Sequence, residues 1–137
     1  MGFRRGIVVA GGAEGNEAAL ANTQRLVSAQ AEIDGKPFEL EPFQKFIVGS
    51  LFGWKGDDGY RRFRIAYIEM GKGSGKSPLA GGVGLYGLVA DGEAGAEIYS
   101  GATTAFQAGI LFRDAKRMVE ASPALRSRLE VGQHNIA

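Results

Sequence analysis

The sequence Gly71-Lys72-Gly73-Ser74-Gly75-Lys76-Ser77 decides the predicted fold, because it directly follows a strand-like run from Phe63 to Met70. Glycines followed by Lys-Ser at a junction between a strand and a helix are typical of a phosphate-binding loop. Backbone N–H groups in such a loop turn inward to hold an anion, and Cβ atoms would obstruct them. The helix that follows adds the positive end of its dipole. The stretch therefore predicts a site for a nucleoside triphosphate.

The lysine and the serine that end this loop have separate predicted roles. Lys76 reaches the β- and γ-phosphates, and the Ser77 hydroxyl coordinates Mg²⁺. The usual spacing, G-x-x-x-x-G-K-[ST], places glycine at position 70, where this chain has methionine. The alternative is a glycine-serine turn that happens to contain a lysine, and the strand before the loop favours phosphate binding. The backbone that would hold the phosphates belongs to Gly71, Gly73, Ser74 and Gly75.

The composition is that of a globular protein with one core. The chain has 137 residues and a net charge of +1, so any contact with nucleic acid must come from local patches. The absence of cysteine excludes disulfides and thiolate chemistry, and the single histidine, His134, argues against a histidine-based metal site. The apolar run Ile7–Ala10 is shorter than the roughly seven residues of a signal peptide's core, so we expect a cytoplasmic location.

Two helices are predicted before the loop. Residues 1–15 have the pattern of a flexible arm, and Asn16 is expected to cap a helix that runs to about Gln30. Pro42 is expected to begin the next helix, whose predicted apolar face consists of Phe43, Phe46, Ile47, Leu51 and Trp54. A strand from Arg61 to Met70 then leads into the loop.

The pattern after the loop alternates helix and strand. A helix from Pro78 to about Ala90 contains four glycines, each of which costs up to about 1 kcal/mol, so it should pack closely against the sheet. A strand at Ala96–Ser100 precedes a helix that Thr104 and Gln107 cap and that runs to about Ala121, with an apolar stripe of Phe106, Ile110 and Met118. This order indicates an α/β protein with a parallel sheet flanked by helices. Two strands are few for such a sheet, so the chain is expected to be the front part of a larger domain.

Several motifs occur together in a characteristic order. Before the loop stand Pro42-Phe43-Gln44-Lys45-Phe46, Phe52-Gly53-Trp54, Arg61-Arg62-Phe63-Arg64 and Tyr67-Ile68-Glu69. After it stand Ala96-Glu97-Ile98-Tyr99-Ser100-Gly101-Ala102-Thr103, Gln107-Ala108 and Ala115-Lys116-Arg117-Met118-Val119-Glu120-Ala121-Ser122-Pro123. From about residue 22 to residue 136, the chain resembles the large terminase subunit of tailed bacteriophages.

The resemblance implies that residues 16–137 are the N-terminal part of a P-loop ATPase domain, with a helical segment before the first core strand. Members of that family are ATP- and Mg²⁺-dependent motors that package double-stranded viral DNA into a procapsid. They carry a nuclease in the C-terminal half. The implied partners are the small terminase subunit, the portal protein and further copies in a homo-oligomer, in the cytoplasm of the bacterial host and without a membrane.

The resemblance also suggests roles for two further residues. Lys72 falls where the family carries a basic residue early in the loop, which makes it a candidate catalytic contact to the γ-phosphate beside Lys76; the alternative is a solvated lysine. Gln44 lies upstream of the loop and is a candidate for recognising the adenine edge, against a surface glutamine on an amphipathic helix. Arg61, Arg62 and Arg64 could contact DNA phosphates, but a solvated strand edge is the simpler interpretation.

Hydrolysis also requires an acidic residue near Mg²⁺ and a carboxylate that orients water, and no strand after Ser77 ends in such acids. We therefore expect a chain truncated before the acidic motif and the nuclease domain, which binds ATP and Mg²⁺ but hydrolyses poorly by itself. A small-molecule kinase and a non-catalytic nucleotide-binding or assembly module are the alternatives.

Overall fold

The computed structural model describes residues 32–33 and 36–137, so the predicted arm and the helix from Asn16 to Gln30 lie outside the described residues. Two short strands pair antiparallel, with Ile33 opposite Lys36. No helix in the described part of the chain is long and apolar enough to cross a membrane. The elements, in chain order, are β1 (Glu32–Ile33), β2 (Lys36–Pro37), α1 (Pro42–Gly53), α2 (Lys76–Val89), α3 (Ala105–Ala121) and α4 (Pro123–Arg126).

Helix α1 begins at Pro42, as predicted, and its predicted apolar face is right in part, because Ile47 and Leu51 pack against the core. Phe43 and Phe46 are each 43% exposed. The buried face instead contains Gln44, Val48 and Phe52, which stand four residues apart and therefore share one side of the helix. A polar residue is tolerated on this face because the Gln44 side chain accepts a hydrogen bond from the Glu41 backbone N–H at 2.9 Å.

Helix α2 packs closely against its neighbours through its glycines. A Cβ atom at Gly81 would lie 3.2 Å from the backbone nitrogen of Ala115 in α3. Cβ atoms at Gly84 and Gly87 would lie 3.5 and 3.3 Å from the side chain of Ile98, which follows α2 in the chain. The expected close packing is therefore present, but the partner at Gly81 is a helix rather than a sheet.

Two apolar clusters lie on either side of α2. One joins α2 to α3 and α4 through Leu85, Ala115, Met118, Val119, Leu125 and Leu129. The other joins α2 to α1 through Leu40, Val48, Phe52, Leu79 and Tyr86. In the second cluster, the rings of Phe52 and Tyr86 meet edge to face with their centroids 4.6 Å apart. Helix α2 is therefore the central element of the core.

Helix α3 has the predicted N-terminal cap, but only part of its predicted apolar stripe is buried. The Thr104 hydroxyl accepts a hydrogen bond from the Gln107 backbone N–H at 3.2 Å, so the helix begins where the sequence indicated. Met118 is fully buried, whereas Phe106 is 71% exposed and Ile110 is 36% exposed. The first turns of α3 extend beyond the core, and the Arg113 guanidinium covers the Phe106 ring at 5.2 Å from its centroid.

The two predicted core strands have no strand partner among the described residues. Arg61 bridges Lys55 in a local hairpin, but residues 63–70 and 96–103 form no ladder with any described residue. Side chains two residues apart do meet, as in an extended backbone: the Tyr99 hydroxyl donates to the Glu97 carboxylate at 2.8 Å. This hydrogen bond, together with some desolvation, raises the pKa of Tyr99 above its usual value of 10.0. The parallel sheet itself stays a prediction.

The glycines of α2 allow a matched test of helix packing. Gly81→Ala should lower the free energy of unfolding by about 1–2 kcal/mol, because the new methyl group would press on the α3 backbone. Gly82→Ala should be neutral or raise it by up to about 1 kcal/mol, since the nearest atom is the flexible Met118 Sδ at 4.0 Å. Urea unfolding followed by circular dichroism measures both. Equal effects of the two substitutions would contradict this packing.

Candidate functional site: the phosphate loop

The loop between residues 70 and 77 has the backbone that its glycines allow. Helix α2 begins at Lys76, two residues before Pro78, which stands in the first turn, where its missing N–H leaves no bond unmade. Gly73 and Gly75 have φ angles of +80° and +75°, in the left-handed region that side chains with a Cβ atom rarely adopt. These two glycines therefore turn the chain into the helix.

Most amide groups of this loop have no hydrogen-bond partner among the described residues. Lys72 and Gly73 lie in a turn, but no backbone N–H from residue 71 to residue 77 donates a hydrogen bond of good geometry to a described atom. The first that does so is that of Leu79, which donates to the Gly75 carbonyl at 3.1 Å. Unpaired N–H groups carry partial positive charge, and at the start of a 14-residue helix the helix dipole adds to it. The loop can therefore hold a phosphate by its backbone alone.

Lys76 closes the loop from the helix side. Its Nζ atom donates to the backbone carbonyl of Met70 and, at 3.2 Å, to that of Gly71. The Ser74 hydroxyl also donates to the Gly71 carbonyl, at 2.6 Å. The departure from glycine at position 70 is therefore tolerated for a simple reason: Lys76 uses the carbonyl of that residue, which every amino acid provides. Sequence reasoning did not identify the role of these two carbonyls.

Gln44 lies directly beside the loop and is buried rather than on the surface. Its side chain is only 4% exposed. While its Oε1 atom accepts the Glu41 N–H, its Nε2 atom faces Gly75, where a Cβ atom would approach it to 3.1 Å. The start of α1 and the phosphate loop are thus brought together by one amide side chain, although the two are 31 positions apart in the sequence.

Ser77 and Lys72 are the other predicted site residues, and both are accessible to solvent. Ser77 is half-buried in the first turn of α2, and its hydroxyl makes no hydrogen bond with the described residues. Lys72 is exposed at the tip of the loop and forms no ion pair within residues 32–33 and 36–137. The structure thus places Lys72, Lys76 and Ser77 around the same group of free amides.

Of the three arginines Arg61, Arg62 and Arg64, two form ion pairs with nearby aspartates. The Arg61 guanidinium pairs with the Asp91 carboxylate at 3.2 Å and lies 5.2 Å from the centroid of the Phe52 ring. Arg64 makes a weaker, exposed pair with Asp58 at 3.9 Å. Arg61 therefore joins the end of α1 to the end of α2, a contact that residue spacing did not reveal. Among the described residues, no three acidic or histidine side chains are grouped to hold a metal ion.

A glycine loop with free amides, followed by a lysine and a hydroxyl residue at the start of a buried helix, defines the class of P-loop nucleotide-binding proteins. The family model described as "Terminase large subunit, ATPase domain" matches residues 42–136. The chain belongs to this family. The match includes α1, the loop and the three later helices.

The chain is also similar to the large terminase subunit of Enterobacteria phage HK97. The two are 31% identical over 104 residues, which cover 74% of this chain and 19% of that protein. The chain therefore spans less than a fifth of the length of this relative. No solved structure gives a significant match. Family membership implies a P-loop NTPase fold and a nucleotide-binding ATPase in general terms.

Substitution by alanine at three glycines of the loop should change the free energy of unfolding by different amounts. Gly71→Ala should leave the free energy of unfolding unchanged, since Gly71 lacks a positive φ and has open space around it. Gly73→Ala should lower it by about 1–2 kcal/mol through backbone strain alone. Gly75→Ala should lower it at least as much, because Gln44 crowds the new methyl group as well. Thermal and urea unfolding of the three variants test this order, and a costly Gly71→Ala would contradict the loop geometry.

Proposed function

We propose that this chain binds ATP together with Mg²⁺ through the loop at residues 70–77, as part of the ATPase of a viral DNA-packaging motor. The observation that carries the proposal is the row of amides at the start of α2 that have no well-formed hydrogen bond among the described residues, with Lys76 beside them. In the intact protein, hydrolysis of ATP would drive double-stranded DNA into the procapsid. This larger activity rests on the family, because the chain spans 19% of its phage HK97 relative.

The phosphate contacts follow from the arrangement of the loop. The amides of Gly71, Gly73, Ser74 and Gly75 donate to the phosphate oxygens. The Lys76 ammonium exchanges its carbonyl partners, in whole or in part, for the β- and γ-phosphates, because an ionic oxygen is the stronger acceptor. Lys72, at the exposed tip, approaches the γ-phosphate and adds a second positive charge there. Binding and orientation of the phosphates are thus the tasks of this chain.

The Ser77 hydroxyl fits a Mg²⁺ ion that arrives with the nucleotide. Mg²⁺ prefers oxygen ligands in octahedral geometry and keeps several waters and phosphate oxygens. Ser77 offers one oxygen without a hydrogen-bond partner among the described residues, next to the free amides. Bound Mg²⁺ would neutralise phosphate charge, and Ser77 would fix its position relative to α2.

Gln44 is proposed to contact the adenine base through its Nε2 group. Its Oε1 atom is already occupied by the Glu41 N–H, so the amide N–H₂ is the group left for a ligand. That group lies beside Gly75, at the point where the chain turns from the loop into α2. A donor in this place suits a ring nitrogen of the base, which is an acceptor.

The further partners and activities of the motor are proposed from the family. Double-stranded DNA, the small terminase subunit, the portal protein and further copies of the large subunit are its proposed partners, and the bacterial cytoplasm is its proposed location. The nuclease of the family is proposed to lie in the part of the protein that follows this region. We expect binding without efficient hydrolysis, because no predicted strand after Ser77 ends in the acids that hold Mg²⁺ and orient water.

A titration with a fluorescent ATP analogue and Mg²⁺ tests the binding proposal. Lys76→Ala should weaken binding by about 10- to 100-fold, the usual effect of removing a charged hydrogen bond to phosphate. Lys72→Ala is the matched control: it should weaken binding of the ATP analogue but hardly change binding of the ADP analogue, because it is placed at the γ-phosphate. Equal affinity of the parent chain and Lys76→Ala would contradict the proposal.

A phosphate-release assay tests the expected lack of turnover. The 137-residue chain should release no phosphate from ATP above the background of the Lys76→Ala variant. The reason is the missing pair of acidic groups, without which water is neither oriented nor activated. Steady release that Lys76→Ala abolishes would show that this chain contains a complete hydrolytic site.

A further inference from the structure

The Gly71 carbonyl accepts two hydrogen bonds from side chains of the phosphate loop itself. The Ser74 hydroxyl donates to it at 2.6 Å, and the Lys76 ammonium donates to it at 3.2 Å. A carbonyl oxygen has two lone pairs, so it can accept both bonds at once. The Ser74 side chain and the Lys76 ammonium therefore share one acceptor, which links a hydroxyl of the loop to its positive charge.

The direction of this carbonyl depends on the bond from Ser74. Gly71 is exposed, and a Cβ atom added to it would meet no atom within 4 Å, so its surroundings do not hold its peptide group. The Met70 carbonyl also accepts from Lys76. Successive carbonyls point to opposite sides of an extended backbone, so these two can face one ammonium only where the chain turns. Among the described residues, Ser74 is the one group besides Lys76 that donates to the Gly71 carbonyl.

We propose that the Ser74 side chain is a positioning residue for Lys76, because it holds the Gly71 carbonyl in the direction that keeps the ammonium beside the loop amides. This role rests on the proposed binding of ATP by the same loop. A lysine side chain has many rotamers and loses that freedom when it binds phosphate. Restricting the side chain before the nucleotide arrives reduces this entropic cost. Ser74 therefore strengthens binding through Lys76, without a contact between its hydroxyl and the phosphates.

The two serines of the loop have different tasks in this proposal. The hydrogen of the Ser74 hydroxyl is engaged by the Gly71 carbonyl, and the side chain is half-buried. The Ser77 hydroxyl makes no hydrogen bond with the described residues and is the one proposed for Mg²⁺. Removal of the Ser74 hydroxyl should therefore weaken nucleotide binding by the same factor with and without Mg²⁺.

Titration with a fluorescent ATP analogue, with Mg²⁺ and again with EDTA, measures the effect on binding. Ser74→Ala should raise the Kd about fivefold, which corresponds to the loss of one hydrogen bond of ordinary strength. Ser74→Thr keeps the hydroxyl and should retain the parent Kd. In the Lys76→Ala background, Ser74→Ala should have no further effect, because the lysine through which Ser74 acts is absent. Circular dichroism checks that each variant keeps its helices.

Lysine side-chain NMR tests the same role without nucleotide. In the parent chain, the Cε methylene group of Lys76 should show restricted motion, because two carbonyls hold the adjacent ammonium. Ser74→Ala should increase this motion toward that of Lys72, and Ser74→Thr should not. Lys72 is exposed at the tip of the loop and serves as the internal reference, since its signal should be the same in all three proteins.

The outcomes separate this inference from the proposed function. An unchanged Kd in Ser74→Ala, an unchanged Lys76 signal, a Ser74→Thr variant as weak as Ser74→Ala, or an equal loss in the Lys76→Ala background would each overturn the inference while ATP binding stands. A loss that requires Mg²⁺ would also overturn it, because the hydroxyl would then act on the metal. Absence of binding by the parent chain, or equal affinity of Lys76→Ala, would overturn the proposed function and this inference with it.

Discussion

The structure depends on the close packing of α2 between its neighbours. Gly81 lets α2 approach the α3 backbone, and Leu79 and Tyr86 on another face meet Val48 and Phe52 of α1. A bulky residue at Gly81 would separate the two helices and loosen both apolar clusters. Because the phosphate loop runs directly into α2, this packing also fixes the direction in which the loop amides and the helix dipole point. Core and site thus share one helix.

The same helix connects the loop to α1 and to the hairpin before it. Gln44 lies against Gly75 at the N-terminal end of α2, and Arg61 binds Asp91 just beyond the C-terminal end. Buried polar groups are stable only when they are hydrogen-bonded, and Gln44 meets this condition through the Glu41 N–H. A ligand that accepts a hydrogen bond from Gln44 Nε2 would therefore bind an amide whose Oε1 atom is already fixed by the Glu41 N–H.

The sequence predicted local features well and packing directions poorly. Pro42, Thr104 and the Gly73–Ser77 loop act on their own backbone, so their effects could be foreseen from spacing alone. Helical spacing places the exposed Phe43, Phe46 and Phe106 on apolar faces, but it does not say which side of a helix its neighbour covers. The carbonyl contacts of Lys76 depend on the detailed path of the loop backbone, and the Arg61–Asp91 pair arises from tertiary structure, so neither leaves a pattern in the sequence. The parallel sheet remains a prediction, since a strand is defined by its partner.

The central claim is that the loop amides form a preorganised phosphate site, and backbone amide NMR tests it most directly. On addition of ATP and Mg²⁺, the account predicts saturable shifts of the amide signals of residues 71–77, downfield where N–H groups bind phosphate oxygens. The signals of α4 and of the C-terminal hairpin, where Val131 bridges Ile136, should stay in place. Unchanged loop signals at saturating nucleotide, or shifts confined to other regions, would contradict the account.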